Sequence, residues 1–170
     1  MGYIIIPQSV SVDGLSIQTN ASGQIETVNT PRVLGTDLTG GSTTSTTATK
    51  ISSVDNIINV QSFIIIQINY KAGGRYYSSY SRRPQLDIRI GETGSEASVT
   101  DSPFTNLIYT PDTTGAGICE KKGTLTYYYA PTTAEKTNGF NVHVYANQVE
   151  SGSPPLTDSI EVFQTIVSGQ

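Results

Sequence analysis

Residues 57–70 read Ile-Ile-Asn-Val-Gln-Ser-Phe-Ile-Ile-Ile-Gln-Ile-Asn-Tyr, and no other stretch narrows the choice of fold as much. The β-branched density disfavours a helix, because a branched Cβ loses rotamer freedom against the preceding turn. In an extended strand Ile64, Ile66 and Ile68 share one face, while Phe63 and Ile65 take the other. A strand apolar on both faces is a central one, covered on both sides, or one that meets a neighbouring subunit. Left exposed, the same run would be an aggregation hazard. It predicts a buried β-strand.

The segments after it keep the period of two. Leu86, Ile88 and Ile90 alternate with polar residues, and so do Phe140, Val142, Val144 and Ala146. Residues 104–109, 123–129 and 160–167 are further strand-like runs, bounded by Gly and Pro. Residues 71–84 and 91–103 read as polar loops. Residues 132–138 could make a single helical turn, and no convincing amphipathic helix appears. The expected fold is all-β: an antiparallel β-sandwich, jelly-roll-like or a related Greek key. No internal repeat points to a propeller or solenoid.

The start of the chain differs. Ile4 to Ile6 is a short strand ended by Pro7, followed by Val10 to Val12 and an Asp13-Gly14 turn. Leu15 to Gln18 and Gln24 to Val28 flank an Asn20-to-Gly23 turn and predict a β-hairpin. Residues 35–49 are polar and Thr-rich, which reads as a flexible linker with a hinge at Gly40-Gly41-Ser42, or as a solvated strand. The expected division is an N-terminal β arm over residues 1–42 and a β-sandwich domain over 43–170.

Charged residues make up only 14% of the chain, and Ser, Thr, Asn, Gln and Gly fill the gap. The net charge of −4 argues against general nucleic-acid binding, which needs a basic field. No run approaches the length of a membrane span, and the first residues lack the basic and apolar regions of a secretory signal. The chain is expected to be made and folded in a reducing cytosol. The Asn20-Ala21-Ser22 sequon is then a coincidence.

Catalytic chemistry finds few parts. Cys119 is the only cysteine and His143 the only histidine. Cys119 reads as an inert, semi-buried thiol, and His143 as a strand residue opposite Val142 and Val144. Zinc needs several Cys or His ligands, and no Gly-rich phosphate loop is present. Asp87, Glu92, Glu96, Asp101 and Asp112 cluster loosely enough for a carboxylate pair or calcium, but read as solvated loop acids. No cofactor, no metal and no enzymatic activity are expected.

The most unusual local feature is Arg75-Tyr76-Tyr77-Ser78-Ser79-Tyr80-Ser81-Arg82-Arg83, with three tyrosines and three arginines. Tyr and Arg are enriched at contact hot spots. Arg75, Tyr76, Tyr77, Tyr80 and Arg83 are the candidate partner-contact residues. The alternatives are a solvated loop packed on the sheet edge, a glycan platform, or a grip on single-stranded nucleic acid. Tyr127 to Tyr129 form a second aromatic run that reads as core-edge packing.

Residues 12–26, Val-Asp-Gly-Leu-Ser-Ile-Gln-Thr-Asn-Ala-Ser-Gly-Gln-Ile-Glu, resemble a segment of tailed-phage fibres and other virion appendages. The shared pattern is an Asp-Gly turn, an alternating strand, an Asn-x-x-Gly turn and a short returning strand. The resemblance implies a homo-oligomer, a trimer foremost, whose arm docks on a capsid or tail while the sandwich projects. It fits a chain that is folded in a host cytoplasm yet works in the virion. The leading expectation is therefore a capsid decoration (cementing) or fibre protein. A carbohydrate- or receptor-binding module is the alternative, and a small jelly-roll hydrolase the third.

Overall fold

The computed structural model describes the backbone of residues 9–12, 15–19 and 25–29, and describes residues 31–77, 81–108, 117–152 and 158–169 in full. β1 (Ser9–Val12), β2 (Leu15–Thr19) and β3 (Ile25–Asn29) form a three-stranded antiparallel sheet. The expected hairpin is thus β2 with β3, and β1 adds a strand across Val12↔Leu15. The strand expected at Ile4 to Ile6 lies outside the described residues.

A second sheet has nine strands among the described residues. They are β4 (Arg32–Asp37), β5 (Gly41–Thr43), β6 (Thr49–Ile57), β7 (Ile64–Tyr76), β8 (Ser81–Gly91), β9 (Ala97–Ser98), β10 (Gly117–Tyr129), β11 (Phe140–Ser151) and β12 (Ile160–Gly169). Among the described residues one helix, α1 (Thr133–Asn138), joins β10 to β11. It is started by a capping box in which Thr132 and Glu135 bond each other's backbone N–H. All the pairings are antiparallel.

Among the described residues, β7 and β8 share only the pairs Arg75↔Arg82 and Tyr76↔Ser81. Beyond that tip they part. β7 runs between β10 and β12, and β8 runs between β9 and β11. The sheet therefore curls into two layers, β4/β5-β12-β7-β10 and β6-β11-β8-β9, as a nearly closed, barrel-like sandwich. Each long connection crosses from one layer to the other. The pairs also nest: β8 with β9, β7 with β10, β6 with β11, and β4 and β5 with β12.

The core lies between the layers. Ile64, Ile66, Ile68, Tyr70 and Ala72 of β7 face Leu86, Ile88 and Ile90 of β8, with Val142, Val144 and Ala146 of β11 and Ile160, Val162 and Val167 of β12. The alternation expected for β8 and β11 is the one observed.

Four expectations need correction. Residues 57–70 are not one strand: Ile57 ends β6 and Ile64 begins β7. The break falls where Asn56 and Asn59 take positive φ, a conformation asparagine tolerates better than β-branched residues. Residues 71–84 are not a loop but the ends of two long strands. The strand expected at 104–109 shrinks to one bridge, Phe104↔Leu86. Residues 32–43, assigned to the arm and linker, pair with β12 inside the sandwich.

Gly40 makes that last pairing work. It breaks β4 from β5 at φ +50, and a Cβ there would lie 1.8 Å from the Val162 carbonyl oxygen. In the same stretch of β12, the ladder to β7 on its other edge shifts register between Val162 and Gln164.

Truncating a fully buried residue tests this packing. Ile66→Ala removes a side chain with no exposed surface and should cost about 2–5 kcal/mol in urea unfolding. The same change at half-buried Ile65 should cost less than half as much.

Candidate functional site

Extending the Leu86–Ile88–Ile90 alternation backwards places Pro84 and Arg82 on the inward side of β8. Both are buried there, and Arg82 has 0% exposure. Its guanidinium donates to the Thr44 carbonyl and stands 3.2 Å from a Glu150 carboxylate oxygen. Beside it, buried Gln148 donates from its backbone N–H to the Ser45 carbonyl and from Nε2 to the carbonyls of Gly73 and Asp158. Residues 44–48, expected as part of a flexible linker, are thereby tied to the sandwich.

Arg75 belongs to the same cluster. Its Nε and NH2 groups both donate to the Asp158 carboxylate, in a pair that is largely buried on both sides. A bidentate, desolvated pair of this kind is structural. Of the five candidate contact residues, Arg75 is therefore turned into the protein. Tyr76 and Tyr77 are half-buried, Arg83 is exposed opposite Val149, and Tyr80 lies outside the described residues.

A second cluster lies on the outer side of β11. His143 Nε2 is 2.9 Å from Asp55 Oδ1, and Nδ1 is 3.8 Å from Glu96 Oε1. Asn141 Nδ2 donates to Glu96 Oε1 at 2.7 Å and to Thr93 Oγ1 at 3.2 Å, while its Oδ1 accepts the Asn56 N–H. With Lys50 and Gly94 these residues line an open groove of about 640 Å³. The Asn141 hydrogen bond, with backbone N–H groups, holds the Glu96 carboxyl below its ordinary range. Sequence reasoning missed this grouping because Asp55 reaches β11 from β6, and Glu96 from the turn before β9.

The third feature is the mouth of the sandwich, between β10 and residues 97–107. Tyr127 packs edge-on against Phe104 at 5.8 Å between ring centroids. Tyr129 donates its hydroxyl to both Glu135 carboxylate oxygens. Burial, then that carboxylate, pushes the Tyr129 hydroxyl up to about 12. Tyr128 points outward at 66% exposure. Core-edge packing holds for Tyr127 and Tyr129, and not for Tyr128. Cys119 is half-buried against the core from the same strand.

Asp37 closes the other side. Partial burial works against its ionisation, but the Ser52 hydroxyl and the N–H groups of Gly40 and Thr39 hold the carboxyl well below the usual carboxylate range. The Ser52 hydroxyl also meets Thr165 Oγ1 at 2.7 Å, so β4, β6 and β12 are tied together.

No protein-family model matches the chain, and no curated protein matches its sequence.

Two measurements probe these clusters. Arg82→Ala leaves Glu150 and the Thr44 carbonyl without their partner and should cost about 3–5 kcal/mol in urea unfolding. The Asp37 carboxyl titrates lower folded than unfolded, so its contribution is present above the unfolded value near ~4 and is lost as pH falls below it. Asp37→Asn should lower the melting temperature at pH ~7 and flatten its fall between pH ~5 and ~2.

Proposed function

We propose that the chain is a non-enzymatic structural subunit of a virion, a capsid decoration (cementing) protein or a fibre component. It acts through subunit contacts as a homo-oligomer, a trimer in the fibre case, bound to capsid or tail. The nested strand order carries this reading. A first strand paired with the last, a second with the next to last, and so inward, is the order of a jelly roll, which virus capsid proteins and lectins share. That is analogy at the level of fold, and the likeness of residues 12–26 to virion appendages selects among its hosts. The spending of Arg75 and Arg82 on internal bonds also suits a scaffold more than a ligand-binding loop.

The second reading is a carbohydrate- or receptor-binding module. Its support is the groove of Lys50, Asp55, Asn56, Glu96, Asn141 and His143, whose donors and acceptors suit a hydroxyl-rich ligand. A small hydrolase could use Asp55 and Glu96, which flank the same groove. Both carboxylates, however, contact His143 rather than facing each other across an empty space. Glu96 is held ionised, the reverse of what a general acid needs.

The experiment for the leading reading is immunoelectron microscopy of virus particles from the source culture, with antiserum to the purified chain. Regular labelling on capsid or tail is the expected result. Particles that carry no label would overturn it, and saturable binding on a glycan array would favour the second reading.

A further inference from the structure

Among the described residues, β10 is paired on one edge only. All thirteen of its residues are in register with β7, from Gly117↔Tyr76 to Tyr129↔Ile64. Among the described residues no strand takes the other edge, and no backbone hydrogen bond outside the β7 ladder reaches it. A long free edge is a template for another strand unless something blocks or covers it.

The sequence of this edge is close to balanced about its midpoint. Ile118 and Tyr128 stand at equal distances on either side of Gly123, on the same outward face. At 65% and 66% exposure they are the two most exposed large apolar side chains among the described residues. We infer that a second copy of this chain pairs on the free edge of β10, antiparallel, about a two-fold axis through Gly123. The two outer layers then become one continuous sheet, and both apolar residues gain partners: Ile118 meets the partner's Tyr128, and Tyr128 meets the partner's Ile118.

Charge selects this register over its neighbours. With the axis at Gly123, Glu120 lies opposite the partner's Thr126, Lys121 opposite the partner's Leu125, and Lys122 opposite the partner's Thr124. No like charges face each other directly. Moving the axis to Lys122, Lys121 or Glu120 sets a charge against its own copy. Moving it to Thr124 separates Ile118 from the partner's Tyr128. Gly123 itself has no Cβ, and one added there would lie 2.7 Å from the Tyr70 hydroxyl. Lys121 and Asp101 line the same mouth, and the two Lys122 side chains approach only diagonally, in solvent, where salt screens them.

This inference stands apart from the virion reading. It predicts an even-numbered assembly, so a threefold fibre contact would need a different surface. The test uses the full chain in a Cys119→Ser background. Ile118→Cys with Tyr128→Cys places two thiols on the order of 33 Å apart along one strand, too far for an internal bridge. Under mild oxidation this double variant should run as a covalent dimer on a non-reducing gel, while each single variant stays uncrosslinked. Light scattering of the natural chain should give twice the chain mass or an even multiple. Ile118→Asp with Tyr128→Asp should halve it, with the melting temperature kept. A natural chain that is monomeric or purely trimeric overturns the inference. So does a double variant that stays uncrosslinked, single variants that crosslink as fully as the double one, or an Asp variant that keeps the assembled mass.

Discussion

The architecture depends on the point where β7 and β8 part. Strands consecutive in an antiparallel sheet often stay paired along their length, but among the described residues these share only Arg75↔Arg82 and Tyr76↔Ser81. Each carries an apolar face, Ile64 to Ile68 on one and Leu86 to Ile90 on the other. Burying both faces against each other, instead of side by side in one flat sheet, is what separates the strands into layers. The later chain then has edges to fill. β9 takes β8, β10 takes β7, β11 inserts beside β8, and β12 inserts beside β7. The nesting follows from that first separation.

Parting has a cost at the tip. Where the layers diverge, the backbone carbonyls of Thr44, Gly73 and Asp158 are met by side chains. Arg82 and Gln148 answer those carbonyls from β8 and β11, and Arg75 neutralises Asp158. Apolar residues of similar size would fill the volume but leave the acceptors unmet, each unmet group costing roughly 1–3 kcal/mol. Arginine and glutamine in this core are therefore the groups that let the hairpin open. This explains why Arg75 and Arg82, in a segment that resembles a contact loop, are committed inward.

How legible this was in the sequence depended on the range of each interaction. The alternation of Leu86, Ile88 and Ile90, and of Phe140 to Ala146, is local and identified both strands and their buried faces. The same rule, carried back to Arg82, would have marked it as inward, but Arg82-Arg83 looks like surface and the rule stops being applied. The corner at Ile57 was hidden because isoleucines stand on both sides of it; the signal was Asn56 and Asn59, which tolerate positive φ. β4 and β5 were taken for arm and linker because their neighbour, β12, lies more than a hundred residues away. The Asp55–His143–Glu96 grouping depends on register between three separate segments, which no local pattern carries.

Polar groups on the sandwich surface are engaged with one another. On the outer face of one layer, Thr124 donates to Asn69 at 2.6 Å and Asn69 donates to Gln164 at 2.7 Å, a ladder across three strands. On the other layer, Asn141 binds Glu96 and Thr93, and Arg89 lies over the Tyr145 ring while bonding Asp87. Side chains held this way rigidify the faces of the sheet, and an incoming ligand would have to break such bonds before making its own. An edge is different. Backbone donors and acceptors along an open strand are already aligned, so a strand added there gains bonds without breaking internal ones. In a low-charge β-sandwich, strand addition at an open edge therefore meets less competition from internal hydrogen bonds than side-chain contact on a face does.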